Sequence, residues 1–215
     1  MTEDRRREGP GPGGTSLGGT GRIPGVTGAI LAGGQSTRMG RNKALLPWEG
    51  GTVIDAVASL MRGLFYHVLV AAADPEPYRF LGLPEARDRR PGMGPLGGIE
   101  AALSASPDPR VFVVACDMPF LSPDLMRHMA SLPTAQAIVP YLAGRPEPLH
   151  ALYARDALAS VHSLLAEGER RVYALLDRLD VRRVEEDEVR RFGDPERVFA
   201  NLNRPEDYGR ARGEV

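Results

Sequence analysis

The chain has 215 residues, 42% hydrophobic and 26% charged, with a net charge near −1 at pH 7. That suits one α/β domain with a full core and offers no basic surplus for nucleic acid. Its one cysteine, Cys116, excludes an internal disulfide and any multi-cysteine metal site. With no apolar run near the roughly 20 residues that span a bilayer, no membrane partner is expected and a cytoplasmic location is.

Residues 1–25 mix charge with Gly, Pro, Thr and Ser and lack the apolar core of a signal peptide. They are expected to be a disordered tail, with residues 26–215 a single domain. Val26–Ala32 reads as a first strand. Val53, Ile54, Val57, Leu60, Met61 and Leu64 recur at a helical period, which predicts a helix over Thr52–Leu64 capped by Thr52. His67–Ala72 reads as a second strand and Pro95–Ala105 as a helix. Val111–Cys116 is continuously apolar, as a strand covered on both faces must be. Ser122-Pro123-Asp124 opens another helix, with Ser122 the cap. Further strands are expected at Ala137–Pro140, His150–Tyr153 and Val181–Glu185, and helices at Arg155–Ala166, Arg171–Leu179 and Pro205–Arg212. This alternation predicts a three-layer α/β/α sandwich around a mostly parallel, Rossmann-like sheet.

In such a sheet ligands sit beyond the carboxyl ends of the strands, and two informative segments fall there. The first is the loop Gly33–Lys43 after the first strand. Lys43 is the only lysine among 27 basic residues, in a chain that otherwise uses arginine. A compact ammonium beside glycine-rich backbone suits phosphate oxygens. The loop is neither a P-loop nor a dinucleotide fingerprint, because its glycine spacing fits neither. Its glycines with Ser36, Arg38 and Lys43 suit a triphosphate under attack at one phosphorus. The second is Asp117, directly after the apolar run and placed to hold Mg²⁺. Alone, Asp117 equally suits a turn residue; beside the loop, metal ligation is favoured. Cys116 and Trp48 read as packing residues and His150 as a hydrogen-bonded strand histidine.

Leu31-Ala32-Gly33-Gly34-x-Ser36-x-Arg38-Met39-Gly40-x-x-Lys43 resembles the signature of nucleotidyltransferases with a glycosyltransferase-A-like fold. With Gly94-Pro95-Leu96-Gly97-Gly98, Cys116-Asp117-Met118-Pro119, Gly168-Glu169-Arg170-Arg171-Val172 and Phe199-x-Asn201-x-Asn203-x-Pro205-Glu206, the chain resembles the molybdenum cofactor guanylyltransferases. The resemblance implies that GMP passes from GTP to molybdopterin cofactor, with pyrophosphate released and Mg²⁺ as cofactor. It implies Arg38 and Lys43 on the triphosphate, Asp117 on the metal and the nucleotide, guanine against Leu31-Ala32-Gly33, and Gly34 among the nucleotide-binding residues. It puts Asp88 on the nucleoside and Arg170, Arg171, Asn201 and Asn203 on the acceptor face, one asparagine completing the metal shell. The segment Glu147–Tyr153 resembles one lining the acceptor side. Cofactor-delivering proteins or acceptor molybdoenzymes are implied as possible partners. The chain departs from the pattern at Val70-Ala71-Ala72-Ala73, where many relatives carry an asparagine. A CTP-dependent enzyme, a nucleotidyltransferase for another phosphorylated acceptor, and a non-catalytic nucleotide-binding adaptor are the alternatives.

Overall fold

The structure, a computed structural model, describes residues 21–33, 42–88, 92–202 and 207. From β1 (Ile23–Leu31) the chain passes through a small hairpin, β2 (Pro47–Trp48) and β3 (Gly51–Thr52). Next come α1 (Val53–Leu64), β4 (Phe65–Ala72), β5 (Glu85–Arg87), α2 (Gly94–Ala105) and β6 (Arg110–Ala115). The second half runs α3 (Pro123–Ser131), β7 (Ala137–Leu142), β8 (Arg145–Pro146), β9 (His150–Ala154), α4 (Leu158–Ala166), α5 (Val172–Leu176), β10 (Val181–Val184), α6 (Glu186–Val189) and α7 (Pro195–Val198). The main sheet has the order β10-β7-β9-β6-β1-β4-β5, with β8 hanging from β7. Its strands are parallel except β9, which runs antiparallel to both β6 and β7, and β8.

Alternation along the buried strands builds the three layers. In β6, Phe112 and Val114 join α1 and α3 on one face, while Val111 and Val113 join α2, α4 and α5 on the other. The continuous apolar run is thus two alternating faces, both covered. β1 divides the same way, Val26 and Ile30 against Ala29 and Leu31. Gly28 interrupts it for space: a Cβ there would lie 2.7 Å from the Phe65 ring and 2.8 Å from Met61. Thr52 caps α1 as the sequence indicates, within a capping box. Its backbone N–H donates to Asp55 Oδ2 at 2.9 Å, and its Oγ1 accepts from the Asp55 N–H at 3.4 Å.

Three features depart from the sequence expectation. β1 starts at Ile23, inside the expected tail; Pro24 and a left-handed Gly25 (φ +67°) hide the strand behind a register irregularity. β5 is missed because three residues carry no readable period. The reversal of β9 follows a tight turn through Ala143 (φ 49°) and Gly144 (φ 74°), which returns the chain between β7 and β6. That reversal brings the start of β9, not its end, to the carboxyl tip of β6. The expected helix over Pro205–Arg212 lies outside the described residues, as does most of the expected tail. No helix among the described residues is long and apolar enough to cross a membrane.

Candidate active site

The carboxyl ends of β4, β1 and β6 are locked side by side. Ala32 N–H donates to Ala71 O at 2.9 Å and Cys116 N–H to Leu31 O at 3.1 Å. Gly33 therefore leaves the sheet, exposed, next to the turn that carries Asp117. Lys43 opens a 3₁₀ turn, Lys43–Leu45, set by Asn42. The Asn42 side chain accepts from the Ala44 N–H at 3.2 Å and donates to the Tyr78 hydroxyl at 2.9 Å. This pins the end of the loop to the 3₁₀ turn Glu76–Leu81 that follows β4.

Lys43 lies near enough to Asp117 for its charge to act on the carboxyl. Burial raises the Asp117 carboxyl above its ordinary range, and the nearby Lys43 charge pulls it back down. The same ammonium acts on Cys116, whose buried thiol is nevertheless pushed up to about 12 by desolvation and by Asp117. The Cys116 thiol therefore stays protonated and packs against the core. Leu202 N–H donates to Asp117 O at 3.0 Å, so the C-terminal segment braces this turn and sets Asn201 beside it. Asn201 donates its own amide to Phe199 O at 3.1 Å. Trp48 packs, as expected, against Phe120 at 5.5 Å between ring centres and against Leu202 and Val53.

Asp88 follows β5, its N–H held by Ala72 O at 3.2 Å. The strand end that lacks the family asparagine therefore still positions Asp88, through backbone. The Asp88 carboxylate lies directly on α2: a Cβ at Gly97 would sit 2.5 Å from Asp88 Oδ2, and one at Gly98 would sit 3.3 Å from Leu31. Two glycines inside a helix are costly unless something must approach closely, and here a carboxylate and a strand-end leucine do. We expect Gly97→Ala to push the Asp88 carboxylate aside and weaken GTP binding about tenfold, while better helix propensity keeps the melting temperature level or higher. Nucleotide titration beside a thermal melt checks both halves.

The segment before α5 reaches the same end of the sheet, Arg170 O lying 3.6 Å from where a Gly94 Cβ would be. Glu169 organises it, accepting from the N–H of Arg170 at 2.8 Å and of Arg171 at 3.0 Å and pairing with the Arg171 guanidinium at 2.7 Å. These donors hold the Glu169 carboxyl down at about 2. Arg171 is thus engaged, while the exposed Arg170 side chain has no ion pair among the described residues. Gly34, Ser36, Arg38 and Asn203 lie outside the described residues. The structure therefore brings together Leu31, Ala32, Gly33, Lys43, Asp88, Asp117, Arg170, Arg171 and Asn201 at one end of the sheet.

His150 differs from the expectation of a hydrogen-bonded strand histidine. It is fully buried edge-on between Phe112 and Phe199, at 5.3 and 5.1 Å between ring centres, and neither ring nitrogen has a hydrogen-bond partner among the described residues. Desolvation lowers its pKa to about 3, so the ring is neutral and serves as packing.

A family model described as "MobA-like NTP transferase domain" matches residues 28–184, from β1 to the end of β10. A probable molybdenum cofactor guanylyltransferase of Pelotomaculum thermopropionicum is 36% identical over 188 residues, 87% of this chain and 92% of that protein. The molybdenum cofactor guanylyltransferase of Syntrophotalea carbinolica is 32% identical over 186 residues, 85% and 89%. The chain belongs to the molybdenum cofactor guanylyltransferases, within the MobA-like NTP transferase family. It is a nucleotidyltransferase. Molybdopterin-guanine dinucleotide biosynthesis protein A of Archaeoglobus fulgidus has a crystal structure that superposes with a TM-score of 0.76 at 27% identity, over 87% of this chain and 97% of that one. The family match ends before Asn201, whose neighbour Leu202 is hydrogen-bonded to the Asp117 turn.

Proposed function

We propose that this guanylyltransferase acts on GTP and molybdopterin cofactor, with the strand-end cleft as its active site. The acceptor's terminal phosphate oxygen bonds to the α-phosphorus of GTP. The bond from that phosphorus to the α,β-bridging oxygen breaks, and pyrophosphate leaves in line. No general base is required, because a phosphate monoester is largely ionised near pH 7. Two anions must meet, so cationic groups fixed in advance are the main catalytic resource.

Lys43 supplies a point charge to the triphosphate, and Arg38 is its partner on the glycine loop. Asp88 and the Leu31-Ala32-Gly33 backbone hold the nucleoside. Arg170, Arg171, Asn201 and Asn203 form the acceptor face. A half-buried carboxylate with no cluster of further acidic, His or Cys ligands among the described residues fits Mg²⁺, which takes one or two carboxylates and completes its shell with phosphate oxygens and water. Asp117 would hold that ion, with Asn201 the nearby neutral oxygen donor. When bound, Mg²⁺ neutralises charge on the α- and β-phosphates. The observation that supports this reading is that the Lys43 charge acts on Asp117 at the end of β6, which Cys116 N–H locks to the end of β1.

The test is mass detection of product after mixing the protein with GTP, Mg²⁺ and molybdopterin cofactor. The guanine dinucleotide and one pyrophosphate per turnover are expected. Absence of the dinucleotide overturns the proposal, and a higher kcat/KM with CTP overturns the base assignment.

A further inference from the structure

A second concavity opens at the opposite end of the sheet from the catalytic cleft. Among the described residues, a cavity of about 550 Å³ lies where β1 and β4 begin and where α1 and α2 end. Phe65 and Leu69 of β4, Leu83 and Pro84 ahead of β5, and Ala105 at the close of α2 give it an apolar lining. The strand β4 runs from Tyr66 at this cavity to Ala72 at the cleft, about 20 Å of extended chain. Substrates of an open α/β sheet sit beyond the carboxyl ends of its strands, so this cavity takes no part in the transfer reaction.

Its charge is one-sided. Two guanidiniums line it, Arg22 just ahead of β1 and Arg62 in the last turn of α1. Arg22 lies over the Tyr66 ring, 5.7 Å from its centre, and Arg62 donates to Leu81 O. Both are held in place, yet neither has an ion pair among the described residues. No acidic residue lines the cavity, in a chain that has 28 of them. The acids nearest in sequence are engaged elsewhere. Asp108 accepts from the Thr27 hydroxyl at 2.7 Å and meets His67 at 2.9 Å, while Glu85 pairs with Arg79 at 3.1 Å. Arginines with no carboxylate opposite them, set around an apolar floor, complement an anion that carries an apolar body.

We infer that this cavity is a second ligand site, taking a small molecule with a planar apolar ring and one carboxylate or phosphate group. Small-molecule sites are concave, mostly apolar and about 300–1,000 Å³, with a few polar groups that fix orientation. Here the ring covers the apolar lining, and the anion takes parallel N–H bonds from the guanidiniums, whose forked donors match both anions. Tyr66, largely exposed beside Arg22, adds an aromatic face. Nothing in this inference depends on which nucleotide or acceptor reacts in the cleft.

Calorimetric titration of the full chain with 1-naphthoate and 1-naphthyl phosphate tests it, with GTP and Mg²⁺ kept saturating so that the cleft is closed to the probes. A Kd below about 1 mM is expected for at least one anion, and the tighter of the two names the natural anion. Neutral 1-naphthol and ring-free inorganic phosphate should each bind at least about tenfold more weakly. Arg22→Gln and Arg62→Gln should each raise the Kd about tenfold, and Ala105→Trp, which fills the cavity and keeps both guanidiniums, should abolish binding. GTP affinity and melting temperature should stay near wild type in all three, and if Ala105→Trp melts early the glutamine variants decide alone. Kd values above about 1 mM for both anions overturn the inference, as do equal affinity for 1-naphthol or phosphate, displacement by GTP, or wild-type affinity in both arginine variants.

Discussion

Lys43→Ala is expected to lower kcat by about 10²- to 10³-fold, the loss seen when one preorganised charge stabiliser is removed from a developing anion. Lys43 is the only lysine in the chain, and its ammonium is the cation that acts on the Asp117 carboxyl. Lys43→Arg keeps the charge but changes its shape, and only a small part of the activity should return if a compact ammonium is what the phosphates need. The fold should be indifferent, because the Asn42 contacts that set the turn use the Asn42 side chain and the Ala44 backbone. A second readout follows from the coupling. Losing a positive neighbour disfavours the ionised Asp117, so its pKa rises in Lys43→Ala. The acid limb of the pH–rate profile must then move to higher pH. Wild-type kcat with an unmoved acid limb would remove Lys43 from the mechanism.

Fold and site were legible in the sequence to different depths. Long apolar runs gave the layers: Val111–Cys116 could only be a strand covered on both faces, and it occupies the middle of the sheet. Thr52 and Ser122 announced their helices because a cap is a local device that needs no tertiary contact. The direction of β9 was not legible, since strand alternation carries no sign for parallel or antiparallel pairing. That sign came from two left-handed residues, Ala143 and Gly144, of which only the glycine looks like a turn. Among the site residues, Lys43 and Asp117 could be picked out by rarity and by position after an apolar run. The purpose of Gly97 could not, because its contact with Asp88 crosses between two elements of the fold. Unpaired glycines within an expected helix were the available signal.

Asp117→Asn should separate stability from catalysis. Burial raises the Asp117 carboxyl, so the folded state holds that proton more tightly than the unfolded chain does. Stability then falls as pH rises through the titration range, since stability rises with pH only where the unfolded state binds more protons. At neutral pH the ionised carboxylate is a cost to the fold, partly offset by Lys43. Asparagine removes the charge at nearly constant shape. The variant is expected to melt at or above the wild-type temperature near pH 7, with the difference shrinking toward acid pH, while kcat falls about 10²- to 10³-fold. Calorimetric titration of Mg²⁺ in the presence of GTP should show the matching loss of metal affinity. A variant that keeps wild-type turnover would exclude Asp117 as the metal ligand. One that unfolds at neutral pH would mean that the carboxylate is retained for structure instead of for the ion it can hold.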